Sequence, residues 1–222
     1  MPEAGLLAKV KGAVGPSARA IQLRVARAFF DRGGTDTIEP VSKEELGLGS
    51  GMHPYQASGR SALRRGLRGY EVGPSDVFLD LGSGKGRVLF LAARHPFKRV
   101  IGVEISEELN EVARANLDRS TGRLKCRDVE IVTADITRYE VPDDVTVVFL
   151  GNPLDGPLFR EMLGRLLESL DRRPRRMRLL YWHGAAAERS HLESTGRFTL
   201  VRVSRFLRPD LPPQLFVYET RD

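Results

Sequence analysis

Residues 77–95, VFLDLGSGKGRVLFLAARH, run a short apolar segment directly into three alternating glycines and then into a helical pattern. The apolar run has the length and continuity of a strand buried on both faces. After the glycines, Val88, Leu91 and Ala92 fall on one side of a helix. A strand that ends in a glycine turn and opens a helix is half of a parallel βα unit, and it commits the chain to a covered parallel sheet.

The rest of the chain extends that pattern. RVIGVE (99–104), VEIVTAD (129–135), VTVVFLGN (145–152) and MRLLYWH (177–183) read as further strands. Between them lies an amphipathic helix capped by Ser106, with Leu109, Val112, Ala113 and Leu117 facing inward, and a helix opened by Asp155. AAAERSHLES follows as a short helix, then FTLVRVSRFL and QLFVYET as two strands. The gap between these last two holds Pro209, Pro212 and Pro213 and is too short for a crossover helix, which predicts an antiparallel hairpin. The expected fold is α/β: a doubly wound, mostly parallel seven-stranded sheet closed by that hairpin. Upstream, Ile21, Val25, Ala28 and Phe29 space a helix over Ser17–Asp31, stopped by Gly33 and Gly34, and Ser58–Gly69 reads as a second, arginine-rich helix. Residues 1–50 are thus an N-terminal helical extension and candidate lid, and 51–222 the main domain.

At 222 residues a chain buries roughly 70% of its unfolded surface and needs no staple. Cys126 is the single cysteine, which excludes an internal disulfide. His53, His95 and His191 have no partner spacing, so no metal site is expected. No apolar run is long enough to span a bilayer, and the N-terminus is a poor signal peptide, which predicts an intracellular, cytoplasmic protein. The net charge of +6, from 35 basic and 29 acidic residues, favours anionic partners, nucleic acid among them. The densest basic run, DRRPRRMR (171–178), reads as a solvated connection.

The glycine turn constrains the ligand. In doubly wound folds it lies at the carboxyl edge of the sheet, where ligands bind. Gly82, Gly84 and Gly86 tolerate unusual backbone angles and admit a close ligand, and N–H groups at the helix start favour its negative end. The dinucleotide fingerprint fails because its sixth position is Arg87, and the P-loop fails because Lys85 is followed by Gly86. Asp80, Glu104 and Asp135 each end a strand and face one crevice. Glu104 suits a ribose diol, while Asp80 repels pyrophosphate and attracts an ammonium or sulfonium.

VFLDLGSGKGR, VIGVEIS, VTADI and FLGNP together resemble the successive motifs of class I S-adenosylmethionine-dependent methyltransferases, over about residues 52–183. The resemblance implies a Rossmann-like sheet, S-adenosylmethionine as cofactor, and methyl transfer to a nitrogen or oxygen of a small molecule or a protein or peptide amine. It implies that Asp80, Gly82, Ser83, Gly84 and Gly86 hold the methionine portion. Glu104 would take the ribose with Ile105 on the adenine, and Asp135 would accept from the adenine amino group beside Ile136. Asn152-Pro153 resembles the start of the Asn-Pro-Pro-aromatic motif of nitrogen methyltransferases, but Leu154-Asp155 replace the second proline and the aromatic. HPYQASGR resembles the Tyr-x-x-Ser segment of some lysine methyltransferases, which gives Tyr55 and Ser58 the part of closing the pocket; Ala57 stands where a proline is common. The whole chain is similar to small bacterial methyltransferase-like proteins of unassigned substrate. Asn152, Pro153, Tyr55 and His183, a possible base, are the catalytic candidates. An RNA or DNA methyltransferase and a non-catalytic cofactor-binding protein are the alternatives.

Overall fold

A computed structural model of the chain describes residues 35–37, 39–58, 60–119, 124–205 and 215–221. The expected Ser17–Asp31 helix and the prolines between the last two strands lie outside these residues. The described elements begin with helix α1 (Arg60–Gly66) and strand β1 (Val77–Leu81), then α2 (Arg87–Ala92), β2 (Arg99–Glu104), α3 (Glu107–Asp118) and β3 (Val129–Thr133). They continue with β4 (Val145–Leu150), α4 (Gly156–Arg172), β5 (Arg178–Trp182), α5 (Ala186–Ser194), β6 (Phe198–Ser204) and β7 (Leu215–Thr220). The seven strands lie in the order β3-β2-β1-β4-β5-β7-β6, with β7 antiparallel to both neighbours and the remaining pairs parallel. The doubly wound mixed sheet and its closing hairpin are therefore as the sequence predicts.

The strands are shorter than their apolar patterns at the carboxyl end. β3 stops at Thr133, β4 at Leu150 and β5 at Trp182. Asp135, Asn152 and His183 consequently stand on the loops just beyond the sheet edge. Among the described residues, Asn152 and His183 are the non-glycine positions with left-handed backbone, at φ 60° and 55°. Such angles are uncommon outside glycine and tend to mark turns held for a purpose.

Both faces of the sheet are covered, as buried parallel strands require. On one face Phe159, Met162, Leu163, Leu166 and Leu170 of α4 pack against Leu79, Val148 and Leu179. On the other, Ala62 and Leu63 of α1 and Val88, Leu89 and Ala92 of α2 pack against Phe78, Val147 and Leu180. In α3 the Ser106 side chain accepts from Leu109 N–H, the expected cap.

The basic run 171–178 is exposed over Asp171–Pro174 and at Arg176, as a solvated connection should be, but several of its guanidinium groups are engaged by the protein. Arg175 donates to the Val145 and Ser169 carbonyls at 2.6 and 2.9 Å. Arg172 pairs with Asp143 at 2.9 Å. Arg178 is buried under Tyr70, bonds the Gly66 carbonyl, and forms an ion pair with Glu219, its registered partner on β7. Three arginines of this run thus fasten strand and helix ends to the sheet, which withdraws them from any anionic partner. Replacing Arg178 by methionine strands Glu219 against the exposed Arg176 alone. It should lower unfolding stability by about 3 kcal/mol, read as a shift in urea midpoint at unchanged slope.

Candidate active site

The glycine loop is fixed by β2. Gly82 and Ser83 N–H groups both donate to the Val103 carbonyl, at 2.8 and 3.1 Å. Glu104 completes the attachment: one carboxylate oxygen accepts from Gly84 N–H at 2.9 Å, the other from Ile105 and Ser106 N–H at 2.9 and 3.1 Å. The loop is therefore held by an anion of the protein itself. Each carboxylate oxygen has two acceptor sites, so Glu104 keeps one, on the oxygen that Gly84 holds.

All three glycines have positive φ, and each makes room for a protein group. A Cβ on Gly82 would lie 2.8 Å from Pro153, one on Gly84 2.3 Å from the Tyr55 ring, and one on Gly86 2.9 Å from Ala113 of α3. Gly82 lines the cavity over the sheet edge, whereas Gly84 and Gly86 do not. The expectation that all three admit a ligand is thus corrected for Gly84 and Gly86, because Tyr55 and α3 occupy those approaches.

That cavity is bordered by Tyr55, Ser58, Asp80, Gly82, Ser83, Glu104, Ile105, Asp135, Ile136, Asn152 and Pro153. The three strand-end carboxylates do converge on it. Asp80 is 2% exposed, and no cation of the described residues pairs with it. Burial, and then the neighbouring Glu104, push its carboxyl well above the ordinary value. The Ser83 hydroxyl is buried in the same wall without a hydrogen-bond partner among the described residues. Ile105 is apolar yet 42% exposed at the rim. Asp135 commits one oxygen to the Thr137 N–H and hydroxyl, at 2.9 and 2.8 Å, which steadies the turn after β3. A site that combines a buried carboxyl and a hydroxyl, both without a partner among the described residues, with an apolar ledge suits a ligand with an ammonium at one end and a flat ring at the other.

The side of the cavity beyond β4 is narrower than the sequence suggests. Residues 51–55 lie antiparallel to 152–155, with His53 N–H donating to the Pro153 carbonyl at 3.0 Å and Asp155 N–H to the Gly51 carbonyl at 2.9 Å. His53 lines the cavity, and its imidazole lies 3.4 Å from the Asp155 carboxylate. The Asn152 side-chain oxygen accepts from the Tyr181 hydroxyl at 3.3 Å, and burial drives that phenol far up, so it stays a donor. His183, the sequence's candidate base, packs edge-on against Trp182 and does not line the cavity. The His53–Asp155 pair escapes sequence reading because about a hundred residues separate its members, and only the folded loop brings them together.

Residues 78–173 match the family model described as a methyltransferase domain. A protein-lysine N-methyltransferase of Saccharolobus islandicus is 33% identical over 102 residues, 45% of this chain and 62% of that protein. The chain therefore spans less than two thirds of the length of this relative. An RNA methyltransferase from Salinibacter ruber, solved with S-adenosyl-L-homocysteine, is 24% identical with a TM-score of 0.54, over 73% of this chain and 91% of that one. A putative RNA methyltransferase from Pyrococcus horikoshii is 16% identical with a TM-score of 0.55, over 90% and 93%. The strand order is that of the fold these solved methyltransferases share, and residues 78–173 of it match a methyltransferase domain. Among the described residues, no helix is long and apolar enough to cross a membrane, and no group of His, Cys, Asp and Glu could hold a metal.

Asp80 yields a test that needs no substrate. Its folded-state pKa lies above its unfolded one, so the stability it contributes is present below the unfolded value and lost as pH rises through the folded value. Asp80→Asn should raise the melting temperature of the ligand-free protein at pH 8 by at least about 2 °C. The advantage should fade on acidification toward pH 4. A variant less stable than wild type at pH 8 contradicts the assignment.

Proposed function

We propose that the protein transfers a methyl group from S-adenosylmethionine to an aliphatic amine, the lysine side chain of a protein or peptide being the best fit. The buried Asp80, with no cation of the described residues paired to it, is the observation that carries the cofactor part of this reading. Asp80 would hold the ammonium of the methionine portion, the Ser83 hydroxyl would bind beside it, and Ile105 and Ile136 would pack on the adenine. Glu104 would meet the ribose with the one acceptor site that the loop leaves. When bound, the cofactor supplies a sulfonium methyl, which a nitrogen lone pair takes in line while the bonding pair returns to sulfur. The chain's own part is to hold the two reactants aligned and to prepare the nitrogen.

Three features favour an amine over a planar base. The Pro153 carbonyl already accepts from His53 N–H, and Asn152 Oδ1 from Tyr181, so each has one acceptor site left to orient a base nitrogen rather than two. No aromatic follows Pro153 to stack on a ring. The His53 imidazole lines this side of the cavity with the Asp155 carboxylate 3.4 Å behind it, and would give an ammonium's proton a destination. The similarity to a protein-lysine methyltransferase points the same way.

Purified protein should melt higher with S-adenosylmethionine or S-adenosylhomocysteine, by the equivalent of about 2.7 kcal/mol at a hundred times the dissociation constant, and unchanged with NAD. Asp80→Asn should lose most of that shift while remaining folded. Incubated with methyl-labelled cofactor and either calf histones, poly-L-lysine or total RNA, the protein should label lysine. Label confined to RNA would overturn the amine reading and leave the cofactor reading standing.

A further inference from the structure

The glycine loop carries two cations, Lys85 and Arg87, that neither the fold nor the cofactor reading uses. Both are buried, at 5% and 7% exposure. In this structure both reach protein groups, and Arg87 also lines the cavity. Lys85 Nζ lies 2.9 Å from the Asp36 carboxylate, and Arg87 Nη1 donates to the Thr37 hydroxyl at 3.1 Å. The same short segment is gripped from α3. Asn116, 2% exposed, donates to the Asp36 carbonyl and accepts from the Asp36 N–H, both at 2.8 Å, and also donates to the Lys85 carbonyl at 3.0 Å. One amide side chain thus satisfies both backbone groups of Asp36 and ties them to the glycine loop.

All of this fixes one carbonyl. Thr37 accepts from the Tyr55 hydroxyl at 2.7 Å. The Tyr55 ring, half-buried, lies on the bare face of Gly84 and lines the cavity, with Lys85 Nζ 5.6 Å from its centre. The glycine loop, the 36–37 strap and the tyrosine wall therefore close into a ring of contacts around one edge of the cavity. From this geometry we infer that Thr37 and Asn116 are positioning residues. They act through Tyr55 to latch the cavity wall, so that Lys85 and Arg87, by holding Asp36 and Thr37, set how long a bound cofactor stays. The inference rests on the reading that the cavity takes S-adenosylmethionine.

The test uses the full chain and radiolabelled S-adenosylhomocysteine, chased with excess unlabelled compound. Tyr55→Phe removes only the hydroxyl of the latch, Thr37→Val only the group that Arg87 holds, and Asn116→Ala the grip on Asp36. Each should speed release by about fivefold to tenfold, the range expected for one hydrogen bond, with association changed by less than about twofold. Thr37→Ser, which keeps the hydroxyl, should release at the wild-type rate. Tyr55→Phe combined with Thr37→Val should release no faster than the faster single variant, because both break the same latch. Asn116 is buried, and if its variant does not fold, the two milder substitutions still decide the matter. Release at the wild-type rate from Tyr55→Phe and Thr37→Val, or effects that multiply, overturns the latch alone. A wild-type protein that takes up no S-adenosylhomocysteine overturns the cofactor reading and the latch with it.

Discussion

β1 and β2 are parallel neighbours in register, and each places an acidic residue at its carboxyl end. Two carboxylates, Asp80 and Glu104, therefore stand together under one cavity in a part of the protein that excludes water. The chain resolves this conflict asymmetrically. Glu104 collects three backbone N–H groups and becomes the pin of the glycine loop. Asp80 has no such partner among the described residues and is displaced toward its protonated form by burial and by Glu104. A buried anion without a counter-charge is costly, and a fold retains one most readily where a cationic ligand offsets it.

The glycine loop has a double task. Its backbone turns sharply enough to reach from β1 to α2, and its missing side chains let three separate elements close over it: Pro153 after β4, Tyr55 ahead of α1, and Ala113 of α3. The loop is therefore a junction where the cofactor side, the acceptor side and the upstream segment meet within a few residues. Substitution at any of its glycines disturbs more than ligand contact. It displaces the wall that the ligand would lean on.

Much of this was legible in the sequence. The strand-glycine-helix pattern, the strand-end acids and the short proline-filled gap before the last strand are local signals, and local signals fix a doubly wound sheet well. The candidate residues at strand ends converge on one cavity for the same reason: a parallel sheet sends every strand's carboxyl end to one edge. What the sequence left dark depends on contacts between distant segments. Nothing local tells that Gly84 is covered by Tyr55, that His53 meets Asp155, or that Asn116 grips Asp36 across 80 residues. Composition reads 171–178 only in part: most of the run is exposed, while Arg175 caps carbonyls and Arg178 buries an ion pair. His183 was singled out for its place near a strand end, and the structure keeps it outside the cavity.

The central claim is that Asp80 is held as a buried anion site for a cationic ligand, and carbon-detected nuclear magnetic resonance of the Asp80 carboxyl tests it directly. In the free protein its titration midpoint should lie well above that of an ordinary aspartate. Saturation with S-adenosylhomocysteine, whose ammonium would take the missing place, should drive the midpoint below the free-protein value and release a proton on binding at any pH between the two. A midpoint at the ordinary aspartate value in the free protein, or one that ligand leaves unmoved, contradicts the account.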